Sequence, residues 1–118
     1  MGQRDLKQRT KLFALAVILF VESLPKTRTA EIISRQLLRS ATSVGANYRS
    51  ACRARSVADF IAKMTIVEEE IDECIYWLEL FVESGTIEAK DAGSLMKEAN
   101  GLLAITVSSI KTARKNRR

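Results

Sequence analysis

The sequence predicts an all-α chain folded as an antiparallel, up-down-up-down four-helix bundle. Three observations carry that prediction. Apolar residues recur at helical spacing in four segments, while the period-two alternation of a half-buried strand is absent. One Pro and five Gly leave little material for turns, which favours a few long helices over many strands. At 118 residues, 47% of them hydrophobic, the chain is one domain with enough apolar surface for its own core.

Segment one, about residues 4–23, opens with Arg4, Lys7, Arg9 and Lys11 and continues as an apolar run from Leu12 to Val21. A basic start before an apolar run resembles a signal peptide. The run is ten residues, too short to cross a bilayer, and its removal would cost one of only four amphipathic segments. A bundle helix is the preferred reading. Being apolar nearly all round, it is expected to be covered on several sides, by its own bundle or by a neighbouring subunit. Pro25 disfavours helix at Leu24 and ends the segment; Thr27 or Thr29 caps the next.

Segment two, residues 28–53, carries two opposed stripes. Ile33, Leu37, Ala41, Val44, Tyr48, Ala51 and Cys52 form the core face, and Arg28, Arg35, Arg39, Arg49 and Arg53 form the face behind it. Small polar residues (Gln36, Ser40, Ser43, Asn47, Ser50) run between them, and Gly45 leaves room for another backbone. Arg53-Ala54-Arg55 connects to Ser56-Val57-Ala58-Asp59, which has the pattern of a capping box.

Segment three, residues 57–84, places Phe60, Met64, Val67, Ile71, Cys74, Leu78 and Phe81 at alternating steps of four and three, a heptad seam facing a core. Ile66, Trp77 and Leu80 lie off that seam and are the candidate subunit interface, because a bundle helix needs only one buried stripe and Trp favours interfaces. Gly85 is a C-cap. Segment four, about 88–114, starts with Glu88 and Asp91 at the positive end of its dipole and buries Ala92, Leu95, Met96, Ala99, Leu102, Leu103, Thr106 and Ile110. Lys111, Arg114 and Lys115 suit its negative end, and the basic tail runs through Arg117 and Arg118.

The net charge of +5 hides a strong partition. Residues 1–55 hold eleven Lys/Arg against three acids, residues 56–110 hold three against eleven, and the last eight add five cations and no acid. Cys52 and Cys74 have apolar neighbours and no histidine accompanies them. A disulfide framework and a zinc site are both short of ligands, and reduced core thiols fit the cytoplasm.

The stretches LPKT, ISRQLLRSATSVGANYRSAC and DFIAKMTIVEEEIDECIYWLELFVESG occur here in order. With them the chain, from Phe13 to about Thr112, resembles the four-helix-bundle proteins encoded in 23S rRNA intervening sequences. The most specific parts are Gln36-Leu37-x-Arg39, Ala46-Asn47-Tyr48 and Tyr76-Trp77-Leu78-Glu79-Leu80. The resemblance implies a left-handed bundle assembled as a ring, typically a homopentamer, with RNA binding suspected and no catalytic residues to carry over. The architecture is similar as well to the pentameric accessory proteins of diversity-generating retroelements, which bind nucleic acid and a reverse transcriptase. Ser50 departs from the family pattern: many members place an acid there, so the second helix here is more basic.

The leading functional expectation is a non-enzymatic, oligomeric nucleic-acid-binding protein, with RNA favoured. Arg28, Arg35, Arg39, Arg49, Arg53 and Arg55 would contact phosphates together with Lys111, Arg114, Lys115, Arg117 and Arg118. Few aromatics are free to stack on bases, which disfavours sequence-specific single-strand readout. Alternatively, these arginines pair across subunits with Glu68, Glu69, Glu70, Asp72, Glu73 and Glu79. The runner-up is a scaffolding ring with no nucleic-acid role. A third reading takes Glu70-x-x-Glu73 and Glu88-x-x-Asp91 as the carboxylate pattern of a magnesium-dependent nucleotide pyrophosphohydrolase. No catalytic residue, metal ligand, cofactor, membrane contact or small-molecule substrate is expected in the leading reading.

Overall fold

The structure, a computed structural model, describes residues 3–116, with side chains described from Leu6 onward. Four helices follow in order: α1 Gln3–Glu22, α2 Arg28–Cys52, α3 Val57–Glu83 and α4 Ala89–Asn116. Each is antiparallel to the next, giving a rod of 50 × 20 × 19 Å. The expected element types and order are all present, with ends displaced by at most a turn.

The ends follow local chemistry. Thr27 caps α2, its hydroxyl accepting from the Ala30 N–H at 3.2 Å. Ser56 caps α3 by accepting from the Asp59 N–H at 3.0 Å, but Asp59 returns the bond to the N–H of Arg55, at 3.1 Å. The expected box therefore closes one residue further back. Gly85, at φ +78°, takes the left-handed turn that ends α3 and donates to the Val82 carbonyl at 3.0 Å. Asp91 accepts from the Glu88 N–H at 3.1 Å and so closes the start of α4.

The core runs the length of the rod. α3 contributes Met64, Val67, Ile71, Cys74, Leu78 and Phe81, all essentially sealed from solvent. Each large aliphatic or aromatic side chain sealed this way contributes about 1.5–3 kcal/mol of transfer free energy. At the first seam position Ile61 is buried and Phe60 only half-buried, which corrects the expected register at that end. On α2 the buried stripe includes Ser34 and Ser40, whereas Ile33 and Cys52 are half-buried. Small side chains at Ser40, Ala41 and Ala51 let α2 lie close to its neighbours. Phe20 of α1 meets Phe81 of α3 edge-on, with ring centroids 5.8 Å apart.

α1 is the exposed member. Phe13 and Val17 enter the core, but Leu12, Leu15 and Leu19 are 52%, 48% and 72% exposed, with Ile18 beside them. The apolar run, expected to be covered on several sides by its own bundle or by a neighbouring subunit, is covered on one side by its own bundle.

Candidate nucleic-acid interface

Four of the five predicted stripe arginines, Arg28, Arg35, Arg39 and Arg49, lie on the solvent side of α2, opposite Leu37, Ala41, Val44 and Tyr48, and the fifth, Arg53, is its exposed C-cap. Their surroundings differ. Arg39 leans toward α3, where Nη1 lies 3.3 Å from Glu70 Oε2 and Nη2 donates to Glu73 Oε1. Ser40 Oγ donates to Glu73 at 3.1 Å and Ser43 Oγ to Glu70 at 3.0 Å, while Asn47 Nδ2 donates to Ser43 Oγ at 2.7 Å. The hydrogen bond that Arg39 donates to Glu70 leads the effects that raise the Arg39 pKa, with the charges of Glu70 and Glu73 adding to it. Glu70 Oε1 stays buried with no partner among the described residues. This arginine is a tie between two helices of one chain; its acids come from the same subunit.

Arg28 and Arg35 lie toward the α1–α2 connection, in mixed company. Arg35 lines a hollow of about 350 Å³ together with Glu22, Glu31 and Lys26.

Arg49, Arg53 and Arg55 lie at the opposite end, where the bundle brings further cations to them. A depression there is lined by Ala51, Cys52, Arg55, Ser56, Phe60, Ala113 and Asn116, so the last turns of α4 flank the α2–α3 connector. Lys111, Arg114 and Lys115 on those turns are exposed. The antiparallel order collects residues 6–11, 46–67 and 100–116 into one half of the rod, with ten Lys/Arg against Asp59, and at its edge Arg9 pairs with Glu98 at 2.8 Å. The other half, residues 12–45 and 68–99, holds six against twelve. Asp59 is already committed: its carboxylate accepts from the Arg55 N–H and from Lys63 Nζ at 3.1 Å, and these bonds hold its pKa below the usual range. A partition along the sequence has become one from end to end. Arg117 and Arg118 lie outside the described residues.

Two residues escaped the sequence reading. Lys7 and Lys11 share a groove with Arg49 where α1 crosses α2. Their i,i+4 spacing on one face of α1 is visible in the sequence; that this face meets Gly45 and Arg49 is not.

The three interface candidates separate as well. Ile66 is 41% exposed, but Trp77 and Leu80 are half-buried within the chain. Trp77 packs against the core and meets the Tyr76 ring edge-on at 5.0 Å, with its indole nitrogen buried and without a partner among the described residues. The broad uncovered apolar face is on α1.

The carboxylate quartet of the pyrophosphohydrolase reading does not assemble. Glu70 and Glu73 engage α2, while Asp91 caps the start of α4 beside Glu88. Among the described residues no three His, Cys, Asp or Glu are placed to hold a metal ion. No helix among them is long and apolar enough to cross a membrane.

No curated protein matches the chain. Among solved structures, the crystal structure of a protein of unknown function from the S23 ribosomal protein family of Bacteroides thetaiotaomicron is similar. The two are 33% identical, the match covers 94% of this chain and 99% of that one, and the TM-score is 0.86. The model of the family described as 23S rRNA-intervening sequence protein matches residues 3–108, which is nearly all of the bundle. This chain, four antiparallel helices with a basic end, belongs to the 23S rRNA-intervening sequence protein family.

Proposed function

We propose that the protein binds nucleic acid, structured RNA foremost, through the basic end of the rod. The observation that carries this reading is the end-to-end charge partition: the half built from residues 6–11, 46–67 and 100–116 holds ten cations and one acid, Asp59, already bonded to Lys63, and of the cations Arg9 is tied to Glu98 at its edge. Clustered cations release counterions from a phosphate backbone, and arginine adds planar two-point contacts. Arg49, Arg53, Arg55, Lys111, Arg114 and Lys115 form the contact surface. Arg28 and Arg35 lie among acids and contribute less, and Arg39 serves the fold.

Assembly completes the reading. The exposed face of Leu12, Leu15, Ile18 and Leu19 supports self-association, since uncovered aliphatics in a row mark an interface. The proposed assembly is a homo-oligomer, a pentamer by family resemblance. Copies of one basic end on a single assembly bind by avidity what each binds weakly.

The test is fluorescence anisotropy with a structured RNA across a salt series. Relative to the wild type, the triple variant Arg49→Gln/Arg53→Gln/Arg55→Gln is expected to flatten the slope of log K against log salt by about three. Arg28→Gln/Arg35→Gln is expected to change it by less. Unchanged binding in the triple variant overturns the basic end as the contact surface and favours a scaffolding ring.

A further inference from the structure

Where α1 crosses α2, Lys7, Thr10, Lys11 and Ala14 face Thr42, Gly45, Ala46 and Arg49 across a groove of about 250 Å³. The crossing is close because Gly45 has no side chain: a Cβ there would lie 3.2 Å from Thr10 Oγ1. Thr10 is itself fixed, donating to the Leu6 carbonyl at 2.8 Å. The two helices therefore hold two ammonium groups and one guanidinium around a single concavity floored by small residues and hydroxyls.

Among the described residues no carboxylate pairs with any of the three. Cations one helical turn apart repel, as Lys7 and Lys11 do, and a third across the groove adds to the repulsion. An anion seated between them would reverse the sign of all three interactions. The lining contains no aromatic ring on which a base could stack, and no acid to recognise a sugar hydroxyl. Its space fits a phosphate group with a few waters, each taking about 30 Å³.

The geometry points to a phosphate seat: the α1–α2 groove takes one backbone phosphate of a bound nucleic-acid strand. Lys7 and Lys11 hold it from one wall and Arg49 from the other. The inference rests on the nucleic-acid reading above and gives it a fixed point. Arg49 belongs both to the groove and to the basic end, one turn from Arg53, so a strand anchored here continues over the end of the rod. Recognition is of backbone, without base identity.

The experiment uses the full chain and the same structured RNA over the same salt series. Lys7→Gln/Lys11→Gln is expected to weaken binding about tenfold and to lower the salt slope by about one. Ala46→Glu, which puts a carboxylate into the groove, is expected to weaken binding more than Ala62→Glu, an identical charge change at an exposed position of α3. Thermal melts of the four proteins are expected to lie within a few degrees of one another, as all these positions are exposed and relief of like-charge repulsion there is small. If both groove variants bind like the wild type while Arg53→Gln/Arg55→Gln weakens binding, the seat is overturned and the nucleic-acid reading stands. If Ala46→Glu and Ala62→Glu are equally weakened, the effect is a general field and the seat is again overturned. If the wild-type chain binds no RNA even at low salt, the nucleic-acid reading falls and takes the seat with it.

Discussion

Arg39 on α2 and Glu70 on α3 meet at 3.3 Å across the antiparallel seam, with Glu73 one turn further along sharing the same guanidinium. Ser40 and Ser43 donate to the two acids from either side, so five residues fix how far α2 slides along α3. Shifting the register by a turn would leave both carboxylates facing the half-buried seam unpaired, which is costly.

The first prediction separates fold from binding. Arg39→Gln removes the tie and leaves Glu70, with one oxygen already unpartnered, short of its cation. The thermal midpoint is expected to fall by a few degrees while the RNA salt slope stays within error of the wild type. Parallel melts and anisotropy on one preparation check it. A slope reduced by one would return Arg39 to the contact surface.

A second prediction concerns assembly. Leu19, 72% exposed, and Leu15, 48% exposed, contribute little to the core of their own chain. Leu15→Glu/Leu19→Glu is therefore expected to leave the helical signal and melting cooperativity of the protomer in place. The sedimentation coefficient is expected to drop from that of the proposed oligomer to that of a monomer, because like charges would meet in the proposed apolar seam. A variant that sediments like the wild type would overturn this face as the proposed interface.

The helices were legible because their signals are local. Spacing of apolar residues along α3, the Thr27 and Ser56 caps and the Gly85 stop are properties of neighbouring residues. The one slip in the α3 seam, Ile61 in place of Phe60, falls at the first turn, where α4's late turns leave Phe60 on the rim of a surface groove. What the site needed was tertiary. That Arg39 points at Glu70 depends on the α2–α3 register, and that Lys7 joins Arg49 depends on how closely Gly45 lets α1 approach. Charge patterning along the chain revealed an asymmetry, but antiparallel topology decided that it would run from end to end.

The third prediction uses the two thiols. Burial pushes the Cys74 pKa up to about 12, and Glu70 and Glu73 add to the shift. An unfolded thiol titrates near 8.5. Below that value both states keep the proton and the folded chain has its full stability from this group. As pH rises from about 8.5 toward 12, the unfolded chain releases a proton that the folded chain retains, so stability is lost, with a limiting slope of about 1.4 kcal/mol per pH unit. Urea midpoints at pH 8 and pH 10.5 are expected to diverge more in the wild type than in Cys74→Ala. In native buffer a thiol-alkylating reagent is expected to modify half-buried Cys52 first, and Cys74 only with unfolding.

The last prediction contrasts two glycines inside helices. Gly93 of α4 has open space where a Cβ would go, with nothing within 4 Å. Gly93→Ala therefore gains helix propensity at no steric cost and is expected to stabilise the chain by about 0.5–1 kcal/mol. Gly45 of α2 offers the same gain, but its Cβ would meet Thr10 Oγ1 at 3.2 Å, and Thr10 is buried and bonded to Leu6. Relieving that contact means separating α1 from α2 or breaking the Thr10 bond, and crowding of this kind costs about 1–3 kcal/mol. Gly45→Ala is thus expected to fall at or below wild-type stability in a urea titration, with Gly93→Ala above it. It is also expected to weaken RNA binding, because forcing α1 outward spreads Lys7 and Lys11 away from Arg49. A Gly45→Ala protein as stable as Gly93→Ala would show that α1 rests on α2 more loosely than the 3.2 Å approach requires.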